Sequence, residues 1–114
     1  MKYVCLVYLE ADKLHAVPDR ECMNCGEMLT EQGLMLGGEA LEPIGAAKTL
    51  RIRNGRVGIT DGPFAETKEQ LAGFYLIDAP NDEEALKIAA KIPPAREGSI
   101  EVRPVRELQP DVYV

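Results

Sequence analysis

Two segments of this chain are apolar on both alternate sets of side chains, and no other feature limits the fold as strongly. In Lys2–Leu9 the sets are Tyr3/Cys5/Val7/Leu9 and Val4/Leu6/Tyr8, and in Leu71–Asp78 they are Leu71/Gly73/Tyr75/Ile77 and Ala72/Phe74/Leu76. Strand side chains alternate between faces, so a strand apolar on both needs cover on both. The rest of the chain predicts two helices, and two helices cover one face of an antiparallel sheet. Burial of the second face against another copy is the economical solution, because symmetric dimers are the commonest oligomers.

Local signals supply the remaining elements. A helix is expected from Pro18 to about Gln32: Pro18 suits a first helical position, Asp19 and Glu21 complement the positive helix end, and Gly33 provides the stop. Its apolar stripe is Cys22, Cys25/Gly26 and Leu29, with Gly26 suggesting close packing on a sheet. Leu34–Leu41 reads as a strand whose Gly37-Gly38 pair signals a bulge or a close approach. Lys48–Arg53 and Arg56–Asp61 form a hairpin around Asn54-Gly55, which pairs Ile52 with Val57, Leu50 with Ile59 and Lys48 with Asp61. Asn81 and Glu84 read as a capping box opening a second helix with the stripe Ala85, Ile88, Ala89 and Ile92, ended by Pro93-Pro94. Ser99–Arg106 is the last strand, with Ile100 and Val102 facing opposite to Glu101 and Arg103. The order is β-α-β-β-β-β-α-β, a single α+β domain over residues 1–106 with a tail at 107–114.

A net charge of −6, with no cluster of Lys and Arg in the linear sequence, argues against a nucleic-acid partner. No apolar run approaches a membrane span, and Met1-Lys2 leads directly into a strand without a signal-peptide pattern, so a cytoplasmic protein without a membrane partner is expected. The three cysteines, Cys5, Cys22 and Cys25, are an odd number and fit poorly with a disulfide framework. Cys22-Met-Asn-Cys25 has CxxC spacing, yet a zinc site would have to draw its other ligands from Cys5 and the lone His15. The pair also lies further into its helix than a thioredoxin-type site would. Structural thiols, no metal and no cofactor are therefore expected, and His15 reads as a solvated loop residue.

The chemistry-bearing stretch is Val57–Gln70, V-G-I-T-D-G-P-F-A-E-T-K-E-Q. Asp61 can accept from backbone N–H groups, Gly62 tolerates a positive φ, and Pro63 fixes its own φ. Phe64 is expected to anchor the turn in the core, while Glu66, Lys68 and Glu69 crowd the segment beyond it with charge. No Ser-His-Asp arrangement, P-loop, GxGxxG or HExxH accompanies it.

The run D-G-P-F-A-E-T-K-E-Q-L-A-G-F-Y-L-I-D resembles the signature of the DGPF-motif proteins, a branch of the YCII-related family. The resemblance extends to M-K-Y at the start, G-L-M-L-G-G-E-A-L in the middle and I-E-V-R-P-V near the end. It implies a ferredoxin-like α+β protomer, here with an inserted hairpin, that pairs into a dimeric α/β barrel. The family's biochemical function is mostly unknown; some members are encoded beside sigma factors, a genomic association. The wider family has been linked to a His–Asp pair with its histidine on the first helix. This chain departs from that pattern, since an ungapped count places Cys22 at that position.

Two readings of the signature stay open. Asp61 caps its own turn beside a solvated charged loop, or Asp61, Glu66 and Lys68 line a polar pocket near the dimer interface, with Arg103 as a further binding residue. In the second, a carboxylate held ionised beside an ammonium can anchor a ligand or act as an acid/base. A small-molecule pocket protein is the leading expectation. Alternatives are an enzyme using Asp61 and an accessory protein of a sigma factor; turnover lost on Asp61→Asn would separate catalysis from binding.

Overall fold

A computed structural model of the chain describes residues 1–110; the last part of the expected tail lies outside the described residues. β1 (Lys2–Glu10) is paired on both edges, antiparallel to β5 (Glu69–Asp78) on one side and to β6 (Ser99–Pro104) on the other. β2 (Met35–Ala40) pairs antiparallel with the far edge of β5, giving the order β2-β5-β1-β6. Helices α1 (Asp19–Glu31) and α2 (Asp82–Ala89) complete an α+β unit of two helices and antiparallel sheets, compatible with a ferredoxin-like fold.

The alternation in β1 is carried into burial. Tyr3, Cys5, Val7 and Leu9 are buried in one cluster with Cys25 and Leu29 of α1, and with Ala85, Ile88 and Ile92 of the α2 segment. Full burial of each large side chain is worth about 1.5–3 kcal/mol. The other face carries Val4, Leu6, Tyr8, Phe74 and Leu76, half-buried and outside that core.

The helix ends follow their local chemistry. Pro18 sits one position ahead of α1, and Gly33 leaves it with φ +72°. The Glu84 backbone N–H donates to Asn81 Oδ1 at 2.9 Å, one half of the expected box; the Glu84 carboxylate pairs with Lys87 instead. Pro93–Arg96 forms a 3₁₀ turn beyond α2.

Two bulges alter the register. Between Val7 and Tyr8, β5 contributes an extra residue, Ala72, so that Leu71 lies opposite Tyr8 and Gln70 opposite Leu9. This moves Leu71 out of the set read from strict alternation and puts Gln70 in line with the buried one. In β2, Met35 pairs with Ile77 and Gly37 with Leu76, leaving Leu36 as the extra residue. Gly38 provides the close approach: a Cβ there would lie 2.7 Å from the Phe74 carbonyl oxygen.

β3 (Lys48–Arg53) and β4 (Arg56–Asp61) form a separate two-stranded ribbon in the expected register, from Arg53 opposite Arg56 to Lys48 opposite Asp61. Asn54 and Gly55 both have positive φ, at 53° and 74°, as a type I′ turn requires. Of its strand residues Thr49 alone is half-buried; the others are exposed, so the ribbon is an arm on the body.

Candidate functional site

The signature segment joins the arm to β5. At the arm's base, Gly62 N donates to Ala47 O at 2.8 Å and Thr49 Oγ1 donates to Gly62 O at 2.8 Å. Gly62 has φ +101°, the conformation for which glycine is needed. Asp61 accepts a hydrogen bond from Lys48 Nζ, and its side chain remains 84 % exposed. The turn is thus held by backbone and Thr49, with Asp61 contributing an exposed ion pair. Phe64 does not anchor it: the ring is 81 % exposed, because the segment from Gly62 to Lys68 runs outside the sheet.

Lys68 Nζ lies 3.5 Å from Glu10 Oε1, and Arg103 Nε lies 3.7 Å from Glu101 Oε2. The Glu66 side chain makes no ion pair or hydrogen bond among the described residues. Among the described residues, then, no hydrogen bond or ion pair joins Asp61, Glu66, Lys68 and Arg103 to one another; Lys68, Arg103 and their partners Glu10 and Glu101 instead edge the open face of the sheet.

A concavity lies on the helix side. A cavity of about 530 Å³ lies among α1, β2, β5 and the loops at 11–17 and 41–44. Val7, Leu9 and Met35 supply apolar wall, while Cys22, Gln70 and Tyr75 supply neutral polar groups and His15, Asp19, Glu39 and Glu42 line it as well. Burial pushes the Tyr75 phenol well above its ordinary value, with the neighbouring Cys22, Cys25 and Cys5 adding to the shift. Burial also raises the Cys22 thiol; Asp19 and Glu21 add to this and Arg96 opposes it. Both groups are therefore neutral hydrogen-bonding groups at physiological pH. Sequence reading missed this cavity because its walls come from segments far apart in the chain; of its lining residues Cys22 was weighed for a role, and His15 was read as a solvated loop residue.

The cysteines are free thiols, Cys5 and Cys25 buried and Cys22 half-buried. Cys25 Sγ lies 3.5 Å from the Lys91 carbonyl oxygen, to which it donates. A thiolate nucleophile needs a lowered pKa, and burial moves all three the other way. Among the described residues no group of three or more His, Cys, Asp or Glu side chains is placed to hold a metal ion. No described helix is long and apolar enough to cross a membrane.

A small α+β domain with a cavity under its first helix is the class that fold and site define. The family model of the YCII-related domain matches residues 1–109, and the chain belongs to that family. It is 51 % identical over 72 residues to an uncharacterised protein of Rhizobium meliloti (strain 1021). That alignment covers 61 % of this chain and 58 % of the relative, so the chain spans under two-thirds of that protein's length.

Proposed function

We propose that this YCII-related protein binds a small, largely apolar molecule in the cavity between α1 and the β2–β5 edge. The observation that carries the reading is a space of about 530 Å³ walled by Val7, Leu9 and Met35. That volume lies in the range of ligand sites, which are mostly apolar with a few polar groups for orientation. The neutral Tyr75 hydroxyl, Cys22 thiol and Gln70 amide suit a ligand with one or two hydrogen-bonding groups.

Membership of the DGPF branch is supported by the run from Asp61 to Asp78. A homodimer in which two open sheet faces meet as an α/β barrel is supported by Val4, Leu6, Tyr8, Phe74 and Leu76, which no helix among the described residues covers. In that assembly Asp61, Glu66, Lys68 and Arg103 are charges at or near the interface, and a polar pocket among them draws on both copies. Acid/base work by Asp61 would depend on the same closure.

A thermal-shift screen of the full chain against a metabolite library tests the cavity, since a ligand of the folded state raises the melting temperature. The expected hits lose their shift in Cys22→Phe, which fills the cavity, and keep it in Lys68→Ala. Hits that behave in the opposite way move the site to the signature segment.

A further inference from the structure

We propose that the guest of the cavity is a primary amine with an apolar body, bound as its cation, a proposal that rests on the small-molecule reading above. The cavity is the site, and its lining sets the charge that the guest carries. Thirteen Lys and Arg side chains are spread along the chain, yet none is among the described lining residues. Three carboxylates are: Asp19 on α1, Glu39 on β2 and Glu42 in the loop after it. His15 is the one basic side chain beside them.

These carboxylates are uncommitted. The side chains of Asp19, Glu39 and Glu42 make no hydrogen bond or ion pair among the described residues. All three residues are exposed, so they stand at the mouth, while Val7 and Leu9 are buried in the wall. Arg96, whose charge reaches the Cys22 thiol, is paired with Glu21, and Arg20 does not line the space. Further in, the Gln70 amide and the Tyr75 hydroxyl also have no hydrogen-bond partner among the described residues.

A cleft lined by one sign of charge on low-dielectric walls focuses the field and concentrates the opposite ion. A carboxylate or phosphate would enter against that field. An alkyl- or arylammonium ion, the form such amines take at neutral pH, enters with it. Its apolar part covers Val7, Leu9 and Met35, and its N–H donors meet the mouth. Asp19 lies in the first turn of α1, where it also offsets the positive helix end, so Glu39 and Glu42 make the discrimination.

Titration calorimetry of the full chain tests this with probes of equal shape and different charge. Phenethylamine and hexylamine are compared with 2-phenylethanol and hexanol, and with 3-phenylpropanoate and hexanoate. The amines should bind at least about fivefold more tightly than the alcohols, and the carboxylates more weakly than either. Glu39→Gln/Glu42→Gln should remove that preference, about two- to fivefold for each exposed carboxylate, and added salt should reduce it. A net charge of −6 draws cations to the whole surface, so Glu31→Gln/Glu83→Gln is the control: both residues are exposed, neither lines the cavity, and the preference should survive. The wild-type ranking of the probes decides alone if a variant loses its fold. Alcohols or carboxylates that bind as tightly as the amines, and are lost in Cys22→Phe, overturn the amine and leave the cavity reading standing. Amine binding that survives Cys22→Phe, or that the control variant weakens equally, belongs to the general acidic surface and overturns the proposal. So does the absence of binding by all six probes, and the metabolite screen then decides the cavity by itself.

Discussion

Lys48 Nζ and Asp61 Oδ1 close the open end of the arm, the last pair in a register that begins at Arg53 and Arg56. Lys68 is engaged elsewhere, with Glu10 on β1. The first pair is exposed and the second pairs an exposed Lys68 with a half-buried Glu10; exposed pairs contribute about 0.2–1 kcal/mol. A double-mutant cycle on Lys48 and Asp61, read by urea unfolding, should give coupling in that range. The cycle on Lys68 and Asp61 should be additive within about 0.5 kcal/mol. Coupling above that level for the second cycle would show the two side chains sharing a polar site, formed by a second copy.

Gly38→Ala should destabilise by about 1–3 kcal/mol, the usual cost of overpacking a tight contact. Its Cβ would meet the Phe74 carbonyl oxygen and Met35 Cε, each at 2.7 Å. Gly37→Ala is the control, since a Cβ there has no atom within 4 Å. Equal midpoints for the two variants in denaturant titrations would show that β2 shifts freely away from β5.

The elements with local signatures were legible in the sequence. Asn54-Gly55 fixed a two-residue turn and so every pairing of the arm, and the period-two sets of Lys2–Leu9 reappear as alternate burial. The bulge at Ala72 was hidden, because one inserted residue is decided by packing between β5 and β1 and leaves no mark in an apolar run. The exposure of Phe64 was hidden too: an aromatic after a turn predicts burial, while the path of its loop is a tertiary matter. The charges of the signature were visible, but their partners Lys48 and Glu10 arrive from other strands. For the pair with Lys48, the hairpin register had already pointed to the neighbour.

Asn81→Ala should cost about 1 kcal/mol, because the Glu84 N–H loses its acceptor at the start of α2. Asn81→Asp should be close to neutral in thermal or chemical unfolding, since aspartate caps equally well. A neutral alanine variant would show that the first turn of α2 is held by Tyr3 Oη, which donates to Asp82 Oδ1 at 2.8 Å, without help from the cap.

Alkaline pH should weaken the fold through its thiols. Burial raises Cys5 from its ordinary value of 9.0 to about 11, and raises Cys22 and Cys25 in the same direction. Between pH 9 and about 11 the unfolded chain releases the Cys5 proton while the folded chain retains it. The unfolded state then binds fewer protons, so unfolding free energy falls as pH rises. The thiol contribution is intact below pH 9 and is lost as pH climbs through the folded-state value. Tyr3, whose hydroxyl donates to Asp82, and buried Tyr75 shift upward as well and extend the loss to higher pH. Urea midpoints measured from pH 7 to 11 should be flat at first and then decline above pH 9. Cys5→Ala should flatten part of that decline while lowering the midpoint at every pH, because it leaves space beneath the helices. An unchanged pH slope in Cys5→Ala would assign the alkaline loss to Cys22, Cys25 and the tyrosines instead.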